Sequence, residues 1–333
     1  MAFDIITVGS TTQDVFVDTK DRLFHGAGRK ESVCVNFGTK IIVENLSFGI
    51  GGGAFNTAVN FKKMGMNTSI LSVVGDDIVK DSIKNILSKL KIDSSMIISK
   101  KGYSSYSIVL DSLGHERTIL AYKGVNDNLN FSDVDLKKFS NVKCVYFSTM
   151  LGESFNTVSK LIKMMHEKNI ITVFNPSIYL ANQGIKKLKN ILKYTSLLIF
   201  NKEEAYSMVK NNDANKLNDL QDIIEAVRKI HSYGPQNIVV TDGANEIVGF
   251  DGQNFYRVKP PSTKVVETTG AGDAFASTFT TAFMKGYSFE LCLCAGIVQS
   301  QNVISDIGST SNLESWPDVL SKAKKIIGIV SRL

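Results

Sequence analysis

Apolar residues along this chain fall into two rhythms, short β-branched runs and longer stretches in which they recur every third or fourth position. Ile5-Ile6-Thr7-Val8, ending at Gly9, is the first short run and predicts a buried strand. The run 69–74 repeats it, and Gly75-Asp76-Asp77 then opens a helix whose Ile83, Ile86, Leu87 and Leu90 share one face. Beyond Val142 the two rhythms alternate. Strands are predicted over 144–148, 170–174, 197–200 and 237–241, with helices over 154–168, 185–192, 203–209 and 220–230. Strands separated by helices require right-handed crossovers, so the fold class is α/β with a mostly parallel sheet. Asn175, Asn201 and Thr241 stand where those strands end, the side on which open α/β sheets hold ligands.

Two regions break the rhythm. Residues 16–48 show no helical period; 32–36 and 39–44 read as short strands separated by Gly38, with Gly26 and Gly28 in an earlier turn. The stretches 105–110 and 117–122, around a turn at Asp111-Ser-Leu-Gly114, read as a hairpin. Strands this short, with no helices after them, predict a small β flap standing off the main layer. Between these regions Gly49-Ile-Gly51-Gly52-Gly53 leads into an amphipathic helix ending near Met64-Gly65, a loop, helix and C-cap. It is not a P-loop, since no Gly-Lys-Ser/Thr follows. The absence of a strand-forming run before it also sets a nicotinamide-dependent dehydrogenase low.

Composition narrows the class. The 333 residues are 43% apolar and 21% charged, enough for one large α/β domain spanning 1–333 with a small appendage. Cys34, Cys144, Cys292 and Cys294 are too scattered for a disulfide framework, which points to a reducing cytoplasm. No apolar run reaches membrane-spanning length, and the first residues lack the pattern of a signal peptide. The net charge of +6 is modest, and Lys186, Lys187, Lys189 and Lys193 share a helix with apolar Ile185, Leu188, Ile191 and Leu192. That is a solvated helix face rather than a nucleic-acid patch, so neither nucleic acid nor membrane is expected as partner.

The chemistry concentrates at Val266-Glu-Thr-Thr-Gly-Ala-Gly-Asp-Ala-Phe275, where small residues open a predicted helix. Bare amides at a helix start attract an anion, yet Asp273 would repel one. Two readings follow: a first-turn acid with Gly270 and Gly272 shaping a turn, or a base for a hydroxyl that attacks phosphorus. Asp14 lies in a polar loop predicted at the carboxyl end of the first strand, where by itself it reads as a turn residue.

Glu267-Thr-Thr-Gly-Ala-Gly-Asp273 resembles the second signature of the ribokinase-like (PfkB) carbohydrate kinases, Asp-Thr-x-Gly-Ala-Gly-Asp. Gly51-Gly52-x-x-x-Asn56-x-Ala58 resembles their first signature, Asn201-Lys-Glu-Glu204 their Asn-x-x-Glu motif, and Thr241-Asp-Gly243 their Thr-x-Gly nucleotide loop. The resemblance implies a ribokinase-like three-layer α/β domain with a β lid from about 15–48 and 103–123. It further implies transfer of the γ-phosphoryl group of ATP to a primary hydroxyl of a ribose- or fructose-like sugar. In that scheme Asp273 is the base, and the amides of Gly270, Ala271 and Gly272 stabilise the transferred group. Asp14, Gly51, Gly52 and Asn56 hold the acceptor. Asn201, Glu204, Thr241, Gly243 and Asn302 serve the nucleotide, with Gly308 near the adenine and Glu204 holding Mg²⁺ through water.

Three departures qualify the match. Glu246 stands where the nucleotide loop usually has a second glycine, and Glu267 replaces an aspartate near a site that binds K⁺ in many relatives. Asn175-Pro-Ser-Ile-Tyr179 lacks the aspartate and arginine of kinases for acidic sugars, which argues against such a substrate. A nucleoside kinase is the main alternative, with Phe48, Phe55, Tyr106 and Tyr122 as stacking candidates, and a non-catalytic sugar or nucleotide sensor is a lower one. Free lid-strand edges predict a homodimer joined through the lid.

Overall fold

The structure is a computed structural model that describes residues 2–18, 24–25, 32–33, 37–38, 40–111, 117–210, 217 and 219–333. In chain order the first elements are β1 Ile5–Val8, β2 Thr12–Asp18, β3 Phe24–His25, β4 Ser32–Val33, β5 Asn45–Gly51, α1 Gly53–Lys63, β6 Thr68–Gly75 and α2 Ile78–Lys89. There follow β7 Asp93–Lys100, β8 Ser105–Asp111, β9 Arg117–Tyr122, β10 Cys144–Ser148, α3 Gly152–Glu167, β11 Ile171–Asn175, α4 Ile178–Ala181, α5 Ile185–Leu192 and β12 Leu197–Asn201. The last are α6 Lys202–Val209, α7 Leu220–His231, β13 Asn237–Thr241, β14 Ile247–Phe250, β15 Phe255–Val258, α8 Ala271–Met284, α9 Phe289–Ile304, α10 Trp316–Ile326 and β16 Ser331–Arg332.

The main sheet runs β16-β15-β14-β13-β12-β11-β10-β1-β6-β7. From β13 to β7 every pairing is parallel, and the antiparallel β14, β15 and β16 finish one edge. All four residues of β1 and all five of β10 are buried, as expected of parallel strands covered on both faces. Alternation along each strand feeds two cores. Ile6, Val8, Phe147, Phe174 and Phe200 pack with residues of α3, α5 and α7 on one side. Ile5, Tyr146, Val173 and Ile199 pack with residues of α8, α9 and α10 on the other, which makes the molecule three-layered. Sequence periodicity placed most of these elements to within two residues; α5, β9, β10 and β13 carry the expected bounds. The edge strands β7, β14, β15 and β16 were not anticipated.

A second, four-stranded sheet, β5-β2-β8-β9, stands off this layer. Three expectations change here. The segment after β1 is a strand, so Asp14 sits within β2 rather than in a loop. The β-branched run near residue 42 forms no strand: 40–44 are irregular, Ile42 and Val43 are exposed, and the strand is Asn45–Gly51. The reason is register. All seven residues of β2 pair with β5, which draws Gly49 and Gly51 into the ladder and makes a strand run directly into α1. β3 and β4 pair with each other, while Gly26, Gly28, Cys34 and the turn 112–114 lie outside the described residues.

Candidate active site

The chain leaves β1 towards β6 and β7, then returns to β10 and builds outward in the other direction. Such a switch point leaves a crevice at the carboxyl ends of the strands, and here it holds a cavity of about 410 Å³. Polar residues that end the strands form its floor. Ser148 lies opposite Asn175 in the sheet register and Asn201 opposite Thr241, and all four line the cavity. Thr268, Gly270, Gly272 and Asp273 make one wall, with Ser10 and Gly53 on another.

The wall at α8 is shaped by what the sequence omits. Gly270 is the N-cap at φ 82°, with no side chain to cover the helix start, and a Cβ there would collide with the Ser309 carbonyl. The Ala271 N–H donates to the Thr268 carbonyl at 3.3 Å, whereas the amides of Gly270 and Gly272 donate to no protein acceptor among the described residues. Two of the three expected anion-stabilising amides are therefore available.

Asp273, in the first turn, is half-buried. Its Oδ2 accepts from Asn56 Nδ2 at 2.8 Å, and Asn56 Oδ1 accepts from Ser309 Oγ at 3.0 Å. The two signatures thus meet through a side-chain bond between residues 217 positions apart. Burial pushes the Asp273 carboxyl up to about 6, against the lowering effect of the Asn56 bond. Below them Asn60 Nδ2 donates to Ser277 Oγ and Thr278 Oγ1, both at 2.7 Å, and ties α1 to α8.

At the start of α6 the acid is used differently. Asn201 accepts from the Glu204 N–H and Glu204 Oε2 accepts from the Asn201 N–H, both at 2.8 Å, a reciprocal cap. Burial lifts Glu204 to about 7; the charges of Glu203 and Asp273 add to this and the Asn201 N–H opposes it. Two carboxylates facing one cavity suit an anionic ligand only with a cation between them. Mg²⁺ fits this donor set, since it takes one or two carboxylates and fills its shell with water and phosphate oxygens. No group of three or more His, Cys, Asp or Glu residues that could cage a metal exists among the described residues.

Other predicted residues settle at varying distances from the cavity. Asp14 is buried against Gly51, where a Cβ would strike its carboxylate, and Gly52, at φ 95°, passes the Ser10 carbonyl. These glycines make room for protein atoms, and the cavity-lining residues next to them are Ser10 and Gly53. Thr241 lines the cavity but Gly243 does not. Glu246, the missing glycine, lies 3.8 Å from Arg257 in an exposed ion pair. Asn302 is turned inward, donating to Gln299 Oε1 at 3.1 Å, and does not line the cavity. Glu267 accepts from the Thr269 hydroxyl and, at 2.7 Å, from the Gly308 N–H, so its carboxylate closes the loop before α8.

The stacking candidates are displaced as well. Phe55 is core, and Tyr106 pairs with Gln13 and Phe48 with Val15, on the face of the small sheet opposite Asp14. Tyr122, paired with Tyr106, shares that outer face. The residues that sequence reasoning missed are Lys123 and Tyr179, which both line the cavity with Nζ 4.6 Å from the ring centroid. Burial lowers the Lys123 pKa, with the Asp127 charge acting against it. Lys123 belongs to no recognisable motif, Tyr179 marks only the place of the missing arginine, and the two are 56 positions apart in sequence.

A family model described as pfkB family carbohydrate kinase matches residues 4–316. The chain is similar to a nucleoside kinase of Methanocaldococcus jannaschii, 28% identical over 285 residues that cover 83% of this chain and 85% of that one. An ATP-dependent 6-phosphofructokinase of Thermoanaerobacterium thermosaccharolyticum is 24% identical over 315 residues, 92% of this chain and 94% of the relative. Among solved structures, Arabidopsis thaliana ribokinase complexed with ribose and ATP superposes with a TM-score of 0.81 at 21% identity, over 97% of this chain and 99% of that one. That likeness carries the fold: a mostly parallel sheet between helices, with a small antiparallel sheet beside it.

Proposed function

The chain belongs to the pfkB family of carbohydrate kinases, and from that premise we propose that it moves the γ-phosphoryl group of ATP to a primary hydroxyl of a ribose- or fructose-like sugar. The observation that carries this reading is Asp273 at an uncapped helix start, held by Asn56 and raised to about 6. A carboxylate with that value is largely ionised at neutral pH and basic enough to take a hydroxyl proton as the oxygen attacks phosphorus. The Gly270 and Gly272 amides stabilise charge on the transferred group, and positioning supplies the rest. Asp14 and Asn56 orient the acceptor, while Asn201 and Thr241 border the nucleotide. Glu204 would hold Mg²⁺ through water; bound there, the ion supplies the positive charge that lets phosphates approach two carboxylates. No step is assigned to K⁺, since Glu267 is committed to Thr269 and Gly308.

A nucleoside acceptor is the second reading, favoured by the 28% identity to the archaeal nucleoside kinase. The test is ADP formation from ATP and Mg²⁺ against ribose, fructose, adenosine, inosine and cytidine, with Asp273→Asn alongside. Turnover stimulated by one acceptor and lost in the variant, with ATP still bound, supports the kinase. Binding of a sugar with no turnover in the native protein would leave a sensor.

The proposal includes a cytoplasmic homodimer. Cys144, Cys292 and Cys294 are free and buried, as suits a reducing compartment, and no described helix is long and apolar enough to cross a membrane. Leu46, Phe48, Ile108, Leu120 and Tyr122 are exposed on the outer face of the small sheet, an apolar surface suited to a second copy. Sedimentation at micromolar concentration should give a dimer that Phe48→Glu dissociates; a monomeric native protein would refute the arrangement.

A further inference from the structure

Among the described residues Lys123 is the one cation that lines the cavity, which two acids, Glu204 and Asp273, also border. It forms no ion pair or hydrogen bond among the described residues, and its ammonium lies over the Tyr179 ring. Partly burying an ammonium with only the charge of Asp127 acting on it through space is costly, so such a group is kept where a further anion will meet it. Three anionic groups could do so: the carboxylates of the cavity, the transferred phosphoryl group, or a charge on the acceptor.

The first is ruled out by the geometry, since Lys123 pairs with neither Glu204 nor Asp273 although all three border one space. The second and third are separated by where Lys123 comes from. The nucleotide side of the cavity is built by β12, β13, α6 and the start of α8. Lys123 instead follows β9 in the small sheet. Ala121 pairs with Ser107 and Ser107 with Asp14, so Lys123, two positions beyond Ala121, continues the face that carries Asp14. It lies one step past the Tyr106–Tyr122 pair; the Tyr122 carbonyl accepts from Ser105 Oγ at 2.9 Å, and Ser105 pairs with Thr12, itself paired with Gly51. Lys123 thus belongs to the surface that holds the acceptor.

We propose that Lys123, braced on Tyr179, binds a carboxylate or phosphate carried by the acceptor, so that the preferred substrate is an anionic sugar rather than a neutral sugar or nucleoside. This rests on the kinase reading above. It also reverses the expectation drawn from the missing arginine at 175–179: the cation on that side of the cavity arrives from a different segment and stacks on the tyrosine found there.

The test uses acceptors in matched pairs, gluconate against glucose and fructose 6-phosphate against fructose, with native protein, Lys123→Met and Lys123→Arg. Native kcat/KM should favour one charged member by tenfold or more. Lys123→Met should lower kcat/KM on that member by roughly a hundredfold, mainly through KM, with a much smaller loss on its neutral partner, and Lys123→Arg should recover most of it. Equal preference within both pairs, or a loss in kcat that is the same for charged and neutral acceptors, overturns the proposal; the latter would assign Lys123 to the transferred phosphoryl group. Calorimetric binding of the same four compounds without ATP separates the two readings. Lys123-dependent binding of a charged sugar with no ADP formed would refute the kinase and keep the anion site.

Discussion

Two helices begin at the cavity with an acid in the first turn, and they use it in opposite ways. At α6 the N-cap Asn201 and Glu204 satisfy each other's backbone amides, so that acid is part of the helix's own closure. At α8 the N-cap is Gly270, which has nothing to offer, and Asp273 is taken up instead by Asn56 from α1. Both carboxyls are raised by burial, to about 7 and about 6. A capped acid is fixed relative to its helix, and suits holding a hydrated ion; an uncapped one is fixed relative to the rest of the site, and suits proton transfer to a positioned substrate.

The contrast is broken most directly by Asp273→Asn. Turnover should fall by about 10³-fold or more, with the KM for ATP changed little, since general-base losses span roughly 10²–10⁴. Glu204→Gln keeps an oxygen for the cap but loses the charge, so its main effect should be a several-fold higher Mg²⁺ requirement, with a smaller drop at saturating metal; an unchanged Mg²⁺ titration would remove Glu204 from the metal.

The pH response sharpens the comparison. Asp273 acts only when ionised, so kcat/KM should fall tenfold per pH unit below about 6. Stability should move the other way. Both folded values lie above the unfolded values of about 4, so the folded state holds more protons between pH 4 and 7. Stability from these groups is greatest at low pH and is lost as pH rises through that window. Asp273→Asn should therefore raise the melting temperature at pH 8 relative to the native protein but not at pH 4. The smallest effect is expected of Asn201→Ala, which removes half of the reciprocal cap. It should cost about 1 kcal/mol, a few degrees of melting temperature for a chain of this size, while leaving the pH profile of turnover in place.

Much of the layered domain was legible because its signals are local. A β-branched run or a three-to-four spacing reports burial within a few residues, and strands such as 144–148 and 237–241 lie where those patterns put them. The small sheet was legible only in part, because its strands are recognised by partners. Residues 40–44 have the better strand composition, yet the pairing of β2 with β5 selected Asn45–Gly51. The same small sheet put Phe48, Tyr106 and Tyr122, three of the aromatics proposed for base stacking, on the outer face, a one-residue parity that composition does not carry.

The candidate site divides along the same line. The sequence alone determined the parts whose chemistry is written in adjacent residues: a glycine-rich helix start with an acid, an Asn-x-x-Glu cap, and polar residues closing the strands of a parallel sheet. Tertiary structure decided which of these meet. It joined Asn56 to Asp273, turned Asn302 inward, spent Glu267 on a loop, and brought Lys123 over Tyr179 from segments with no motif in common. The physical reason is that backbone preference and hydrophobic period act over a few residues. A buried charge, by contrast, takes its environment from whatever the crossovers and strand registers place beside it.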